Sequence, residues 1–212
     1  MKGRNLLLKG MRGAAGGFVA TTAADGDVVL REMPKRGNQG KDAAHIPAQS
    51  RARVCGQITR KAKTALRGTF TDRRIGLSAV NEFQKYNMNK ANGVISPDGV
   101  IDFEKLRVAD GNIPLSGLTI SNEAYNDGVA DTIDADISFN TNANGTNVQL
   151  RAFVMSSESY EAKVVTLPIT QDGTGGTVSV NVDGYSAPVV YVFWYDTVEK
   201  SASSSVYVLL EN

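Results

Sequence analysis

Six basic side chains crowd into seventeen residues: Arg51, Arg53, Arg60, Lys61, Lys63 and Arg67. Cations at this density bind phosphates or carboxylates, by charge and, for Arg, through a planar fork of N–H donors. They sit in residues 48–70, AQSRARVCGQITRKAKTALRGTF, where Val54, Ile58, Ala62, Ala65, Leu66 and Phe70 recur at steps of three and four. That spacing predicts an α-helix with one apolar side and the basic residues spread round the rest. Gly56 and Gly68 each cost about 1 kcal/mol against Ala in a helix interior, so the helix needs a surface to lie on. Another part of the chain, another subunit or a polyanion would each serve. On DNA or RNA the helix would act through phosphates, losing affinity with salt at a slope of about −0.9 per phosphate neutralised. Few aromatic residues interleave with the cations and no reading motif is present, so base specificity is not indicated.

Other chemistry-bearing residues read more simply as structure. Asp131, Asp134 and Asp136 resemble a calcium or glycosidase constellation, but Asp134 and Asp136 alternate with Ile133, Ala135 and Ile137 and so fall on a solvated strand face. Gly13, Gly16 and Gly17 lack the Gly-Lys-Ser/Thr, and the flanking strand and helix, of a phosphate loop. Asn144-Gly145-Thr146 matches a glycosylation acceptor and reads as a hairpin turn. With one His (His45) and one Cys (Cys55), no zinc set or His-based triad assembles, and the lone cysteine reads as packing. No catalytic, cofactor or metal site is expected, and the chain reads as a non-enzyme.

The net charge of +1 conceals a division along the chain. Residues 1–90 hold 18 Lys+Arg against 6 Asp+Glu, net +12, and residues 91–212 hold 5 against 16, net −11. A chain so polarised can dock head to tail with its own copies, or offer a basic face to nucleic acid. No apolar run approaches the eighteen or so residues of a membrane span. Lys9 and Arg12 interrupt the leucines of MKGRNLLLKGMRG, so a secretory signal is not expected and synthesis in the cytoplasm is.

The elements that must position the basic residues follow in order. Residues 1–47 read as an extended Gly-rich arm, with one short hairpin pairing Phe18 to Thr22 with Val28 to Leu30 across Asp25-Gly26. Residues 48–111 read as a helical hairpin and linker: the basic helix, then a second helix capped by Ser78, with Ala79, Val80, Phe83 and Tyr86 on its apolar side. Residues 112–212 switch to period two. Seven strands are expected, around Leu118, Ile133, Val148, Val164, Val178, Val189 and Val206, with Asp127-Gly128, Asn144-Gly145, Asp172-Gly173 and Asp183-Gly184 among the turns. Val189 to Tyr195 is almost wholly apolar, as a strand covered on both faces would be. Trp194 reads as a core anchor. The fold class is α+β: arm, helical hairpin, then an antiparallel immunoglobulin-like or fibronectin-like β-sandwich.

Several stretches together resemble an uncharacterised family, a domain of unknown function found in Bacteroidetes and their crAss-like phages. They are Gly13-Ala14-Ala15-Gly16-Gly17-Phe18, then Val28-Val29-Leu30-Arg31-Glu32-Met33-Pro34, and Gln49 to Arg53 as Gln-x-x-x-Arg. Ser78-Ala79-Val80-Asn81-Glu82-Phe83 with Tyr86-Asn87, Ile101-Asp102-Phe103-Glu104-Lys105-Leu106, and Tyr191-Val192-Phe193-Trp194 followed by Ser203-Ser204-Ser205-Val206-Tyr207-Val208 complete the series. The resemblance implies no catalytic residues, a helical amino-terminal part with a sandwich, and a virion structural component. With the arm and the charge division, it points to a ring-forming subunit of the neck or tail, at the portal vertex. Its partners would be copies of itself, neighbouring virion proteins and packaged DNA bound without sequence specificity, with no membrane. The competing classes are a basic nucleic-acid-binding protein and a bacterial surface adhesion module.

Overall fold

The computed structural model of the chain describes residues 2–3, 13–15, 18–22, 28–32, 45–73, 76–115, 118–126, 131–139, 147–170 and 175–208. Two compact units emerge, Met1–His45 and Ile46–Asn212. In the first, β1 (Lys2–Gly3), β2 (Gly13–Ala15), β3 (Phe18–Thr22) and β4 (Val28–Glu32) form an antiparallel sheet in the order β1-β4-β3-β2. The expected hairpin is its centre, with Thr22 opposite Val28 and Phe18 opposite Glu32. Instead of one hairpin in an otherwise extended arm, two further strands flank it. Strands of two and three residues built on Gly3 and Gly13 are too short to show alternation, so the sequence carries no signal for them. Asp25-Gly26 and arm residues 33–44 lie outside the described residues.

The second unit opens with α1 (Ile46–Lys61). It starts inside what reads from sequence as the arm, because Pro47 occupies its first turn, where a missing N–H costs nothing. Helix α2 (Lys63–Leu66) follows after a break at Ala62, whose φ and ψ are −87° and 9°. One continuous helix over residues 48–70 is therefore not formed, and geometry explains why. Val54, Ile58, Ala62, Leu66 and Phe70 are all buried. At 100° per residue each step of four drifts by about 40°, so a continuous helix would turn Phe70 about 160° away from Val54. Breaking the helix keeps all five on the core. Helix α3 (Ala79–Asn87) begins at Ser78, whose side chain accepts a hydrogen bond from the Asn81 N–H, and a 3-10 turn (Lys90–Asn92) follows it.

Among the described residues seven strands come next, as expected: β5 (Thr119–Asn126), β6 (Thr132–Ser138), β7 (Val148–Ser156), β8 (Ala162–Thr170), β9 (Gly175–Asn181), β10 (Pro188–Asp196) and β11 (Val206–Val208). They make two antiparallel sheets, β11-β10-β7-β8 and β5-β6-β9. Ile133, Ala135 and Ile137 of β6, with Val178 and Val180 of β9, pack on Leu150, Ala152, Val154, Val190, Val192 and Trp194. Trp194 is fully buried edge-on to Phe139, with ring centroids 4.7 Å apart. Phe153, Met155, Val189, Tyr191 and Phe193 point the other way and share a second core with Ile58, Leu66, Phe70 and Phe83 of the helical part. The layers therefore run helices, four-stranded sheet, three-stranded sheet. Residues 189–195 of β10 are almost wholly apolar because both faces of the strand are covered, as the composition predicts. Strand β7 is not the half-buried alternating strand its first residues resemble, since Ala152 to Ser156 are all buried.

Two polar devices join the layers. Asn87 is fully buried, and its side-chain N–H groups donate to Phe83 O and Arg107 O at 2.9 Å while its Oδ1 accepts from Arg107 N at 3.0 Å. Residues 108–113 thread between the end of the helical part and the segment before β11. Asp110 N donates to Thr69 O and Thr71 N to Asp110 O, while Ile113 N donates to Ala202 O and Ser205 N to Ala109 O. The Ser205 hydroxyl accepts from Val108 N at 3.1 Å and the Thr71 hydroxyl from Ala202 N at 2.8 Å. Ser/Ala-rich residues 201–205, which resemble a solvated turn, thus include the fully buried Ala202 and Ser203. At Gly111 a Cβ would stand 2.3 Å from both Ala202 O and Thr71 Oγ1.

Replacing Asn87 by Ala takes away the partner of Arg107 N and Arg107 O, Phe83 O keeping its helical bond, and is expected to cost about 1–3 kcal/mol for each group left unpaired. A lower urea midpoint with an unchanged slope is the readout. Gly111→Ala forces backbone apart at the crossing of three segments and is expected to cost about 1–3 kcal/mol in the same assay. Wild-type stability in either variant would refute the corresponding role.

Candidate functional site

The surface that the basic helix lies on is the chain's own sheet. Val54, Cys55, Ile58, Ala62 and Leu66 turn inward, and Arg53, Arg60, Lys61, Lys63 and Arg67 are exposed. Arg53 and Arg60 are seven residues apart, two helical turns, and so share the side of α1 opposite the core. Arg51 is half-buried toward the flank. Lys61 pairs with Glu161, next to β8, at 3.1 Å, an exposed contact of about 0–1 kcal/mol. Arg53, Arg60, Lys63 and Arg67 make no ion pair or side-chain hydrogen bond among the described residues. The structure thus brings five of the six predicted cations onto one exposed layer and leaves four of them without a counter-charge.

Beside α2 lies a groove of about 400 Å³ that the sequence does not announce. Thr64, Ala65, Gly68 and Thr69 form one wall, and Ala162, Val164 and Phe193 form the apolar floor. Arg151 of β7 stands in it, half-buried, its guanidinium 3.6 Å from the centroid of the Tyr195 ring. Its Nε is buried and has no hydrogen-bond acceptor among the described residues. Such a donor costs about 1–3 kcal/mol until an acceptor arrives. A charged residue inside an otherwise apolar strand was the available signal. Arg151, Lys163 and Lys200 are the only Lys or Arg after residue 112.

At the other end of the helical part a tight turn, residues 96–100, presents a rigid tip. Gly99 N donates to Ser96 O at 3.0 Å, Ser96 N to Val100 O at 2.8 Å, and Val100 N to the Ser96 hydroxyl at 3.0 Å. Gly99 has φ +87°, a conformation that favours glycine. A Cβ there would touch Val54 and Ser50, which seats the turn on the first half of α1. Pro97 and Asp98 are exposed, and Val100 is 68% exposed. Asp98 makes no ion pair or hydrogen bond among the described residues.

The remaining candidates fall as follows. His45 is exposed at the start of α1. Asp134 and Asp136 stand on the outer side of β6, half-buried, and Asp136 accepts from the Thr177 hydroxyl at 2.6 Å. Among the described residues no group of three or more His, Cys, Asp or Glu is placed to hold a metal ion. Among them, too, no helix is long and apolar enough to cross a membrane. Gly13 lies in β2, while Gly16, Gly17 and Asn144-Gly145-Thr146 lie outside the described residues. No protein-family model matches the chain, and no curated protein matches it in sequence.

Cys55 is fully buried on the inner side of α1, and burial pushes its thiol up to about 12. Thiolate is the reactive form, so alkylation of the native protein at pH 8 is expected to proceed only at the rate of unfolding. Labelling by iodoacetamide should be negligible over hours without denaturant and complete in urea. Rapid native labelling would mean that α1 leaves the sheet.

Proposed function

We propose that the protein is a non-enzymatic structural subunit that assembles with copies of itself, and more specifically a ring-forming component of a phage neck or tail at the portal vertex. The observation that carries the self-assembly is the exposed set Arg53, Arg60, Lys63 and Arg67, without counter-charges among the described residues, on a helical layer whose apolar side is already satisfied by the chain's own sheet. A surface of that kind gains from an acidic neighbour, and residues 91–212 carry a net charge of −11. The virion assignment rests on the resemblance of the sequence stretches. The strand order supports a fibronectin-like sandwich within the immunoglobulin-like class: its fourth strand, β8, pairs with the third, β7, whereas in constant-type domains the fourth joins the other sheet. The same cations suit the phosphates of packaged DNA, and the same assay separates the two partners.

Light scattering and negative-stain imaging across protein concentration should show discrete oligomers, dissociating as salt rises. Arg53→Glu, Arg60→Glu and Arg67→Glu together change exposed positions only, so the fold is expected to survive and the oligomers to disappear. A wild-type protein that stays monomeric at high concentration overturns the subunit reading. Salt-sensitive binding of duplex DNA by that monomer, lost in the triple variant, would put nucleic acid in its place.

A further inference from the structure

The 96–100 tip and the Arg151 groove complement each other and lie at opposite ends of the helical part. The tip rests against Ser50 and Val54, and the groove is walled by Thr64, Gly68 and their neighbours. From Val54 to the end of α1 the helix rises about 10 Å, and the break at Ala62 lies between the tip and the groove. A copy that used its own tip to fill its own groove would have to deform both. Two copies displaced along the helical part would not.

From this geometry we infer that the 96–100 tip of one copy seats in the Arg151 groove of the next. The inference rests on the self-assembly proposed above and names the contact that carries it. Asp98 brings a carboxylate to the half-buried guanidinium of Arg151, and Val100 meets the partly exposed Ala162 and Val164 of the groove. Both partners are preformed. Three hydrogen bonds hold the tip, and the ring of Tyr195 holds the guanidinium, so little ordering is required on docking. The exposed Lys63 and Arg67 lie beside groove residues Thr64 and Gly68 in the chain and draw an acidic tip toward it. A contact between two different patches is heterologous, so it repeats from copy to copy and closes into a ring or continues as a filament.

The test measures self-association of the full chain by sedimentation, with circular dichroism and thermal unfolding as checks on the fold. Asp98→Arg and Val100→Asp alter exposed positions that the folded monomer does not use. Asp98→Arg is expected to weaken association about 30-fold or more, as removing one partner of a buried interfacial pair does, and Val100→Asp about 10-fold or more, because it carries a charge onto an apolar surface. Arg151→Asp should weaken it similarly, and Arg151→Asp combined with Asp98→Arg should restore most of it. Should Arg151→Asp fail to fold, the two tip variants decide the matter alone. If wild-type protein assembles while Asp98→Arg and Val100→Asp leave the association constant within twofold, the tip-in-groove contact is wrong and the subunit reading stands. If both tip variants weaken association but a folded Arg151→Asp, Asp98→Arg pair shows no recovery, the pairing with Arg151 is wrong. A wild-type protein that never associates overturns the contact and the subunit reading together.

Discussion

The four-stranded sheet β11-β10-β7-β8 must be covered on both faces, and the larger unit is arranged around that need. Fully buried Tyr191, Phe193 and Phe153 on one face and Trp194, Leu150 and Val192 on the other cannot be left to water. Burying a side chain of this kind contributes about 1.5–3 kcal/mol, so stripping either cover would cost an amount comparable to the roughly 5–15 kcal/mol by which typical domains are stable. The three-stranded sheet covers one face and the helices cover the other. Helices with an interior glycine, Gly56, and a broken axis would be marginal by themselves, Gly68 lying past the end of α2. They are therefore a layer of the sandwich's own core, and not an appendage.

That dependence explains the polar stitching. An apolar layer can slide on an apolar sheet at little cost, because hydrophobic burial is non-directional. Hydrogen bonds are directional, and the register is set by Asn87 with Arg107, by the Tyr191 hydroxyl donating to Phe103 O at 2.8 Å, and by the crossing of residues 108–113 with Thr69, Thr71 and Ala202. Burial pushes the Tyr191 hydroxyl far above the ordinary tyrosine range, so it remains a donor at every pH the protein would meet. Each of these groups would be costly to bury unpaired, so only one docking of helices on sheet satisfies all of them.

Period and turn chemistry made much of this legible in the sequence. The seven strands of the larger unit, the Ser78 cap, the covered β10 and the buried Trp194 follow from local signals. The reading weakened wherever the deciding contact was distant in sequence. The break at Ala62 follows no propensity, Ala being the best helix former, and comes from the need to hold Val54 and Phe70 on one sheet. Phe153 and Met155 gave no sign that they meet helices, since covered strands and buried helix segments share the same short apolar runs. Of the basic residues, composition identified all six, but which were paired depended on Glu161, a hundred residues from Lys61. Arg151 carries no such signal by itself, because a single cation in a strand resembles a solvated position until the opposite face is known to be buried.

A division of charge along the chain does not by itself produce a division in space, because folding can bring the two halves together and cancel it. Some cancellation is visible in the pair Lys61–Glu161. Among the described residues it stops at the outer helical surface. There the side chains point away from the two sheets of the same unit, because the inner side of the helices is committed to Phe153, Tyr191 and Phe193. The uncompensated cations are thus a consequence of how the sheet is covered. Any partner that neutralises them meets a surface whose backbone is already held in place by the core, and association with such a surface is opposed mainly by lost translation and rotation and by the ordering of four long side chains.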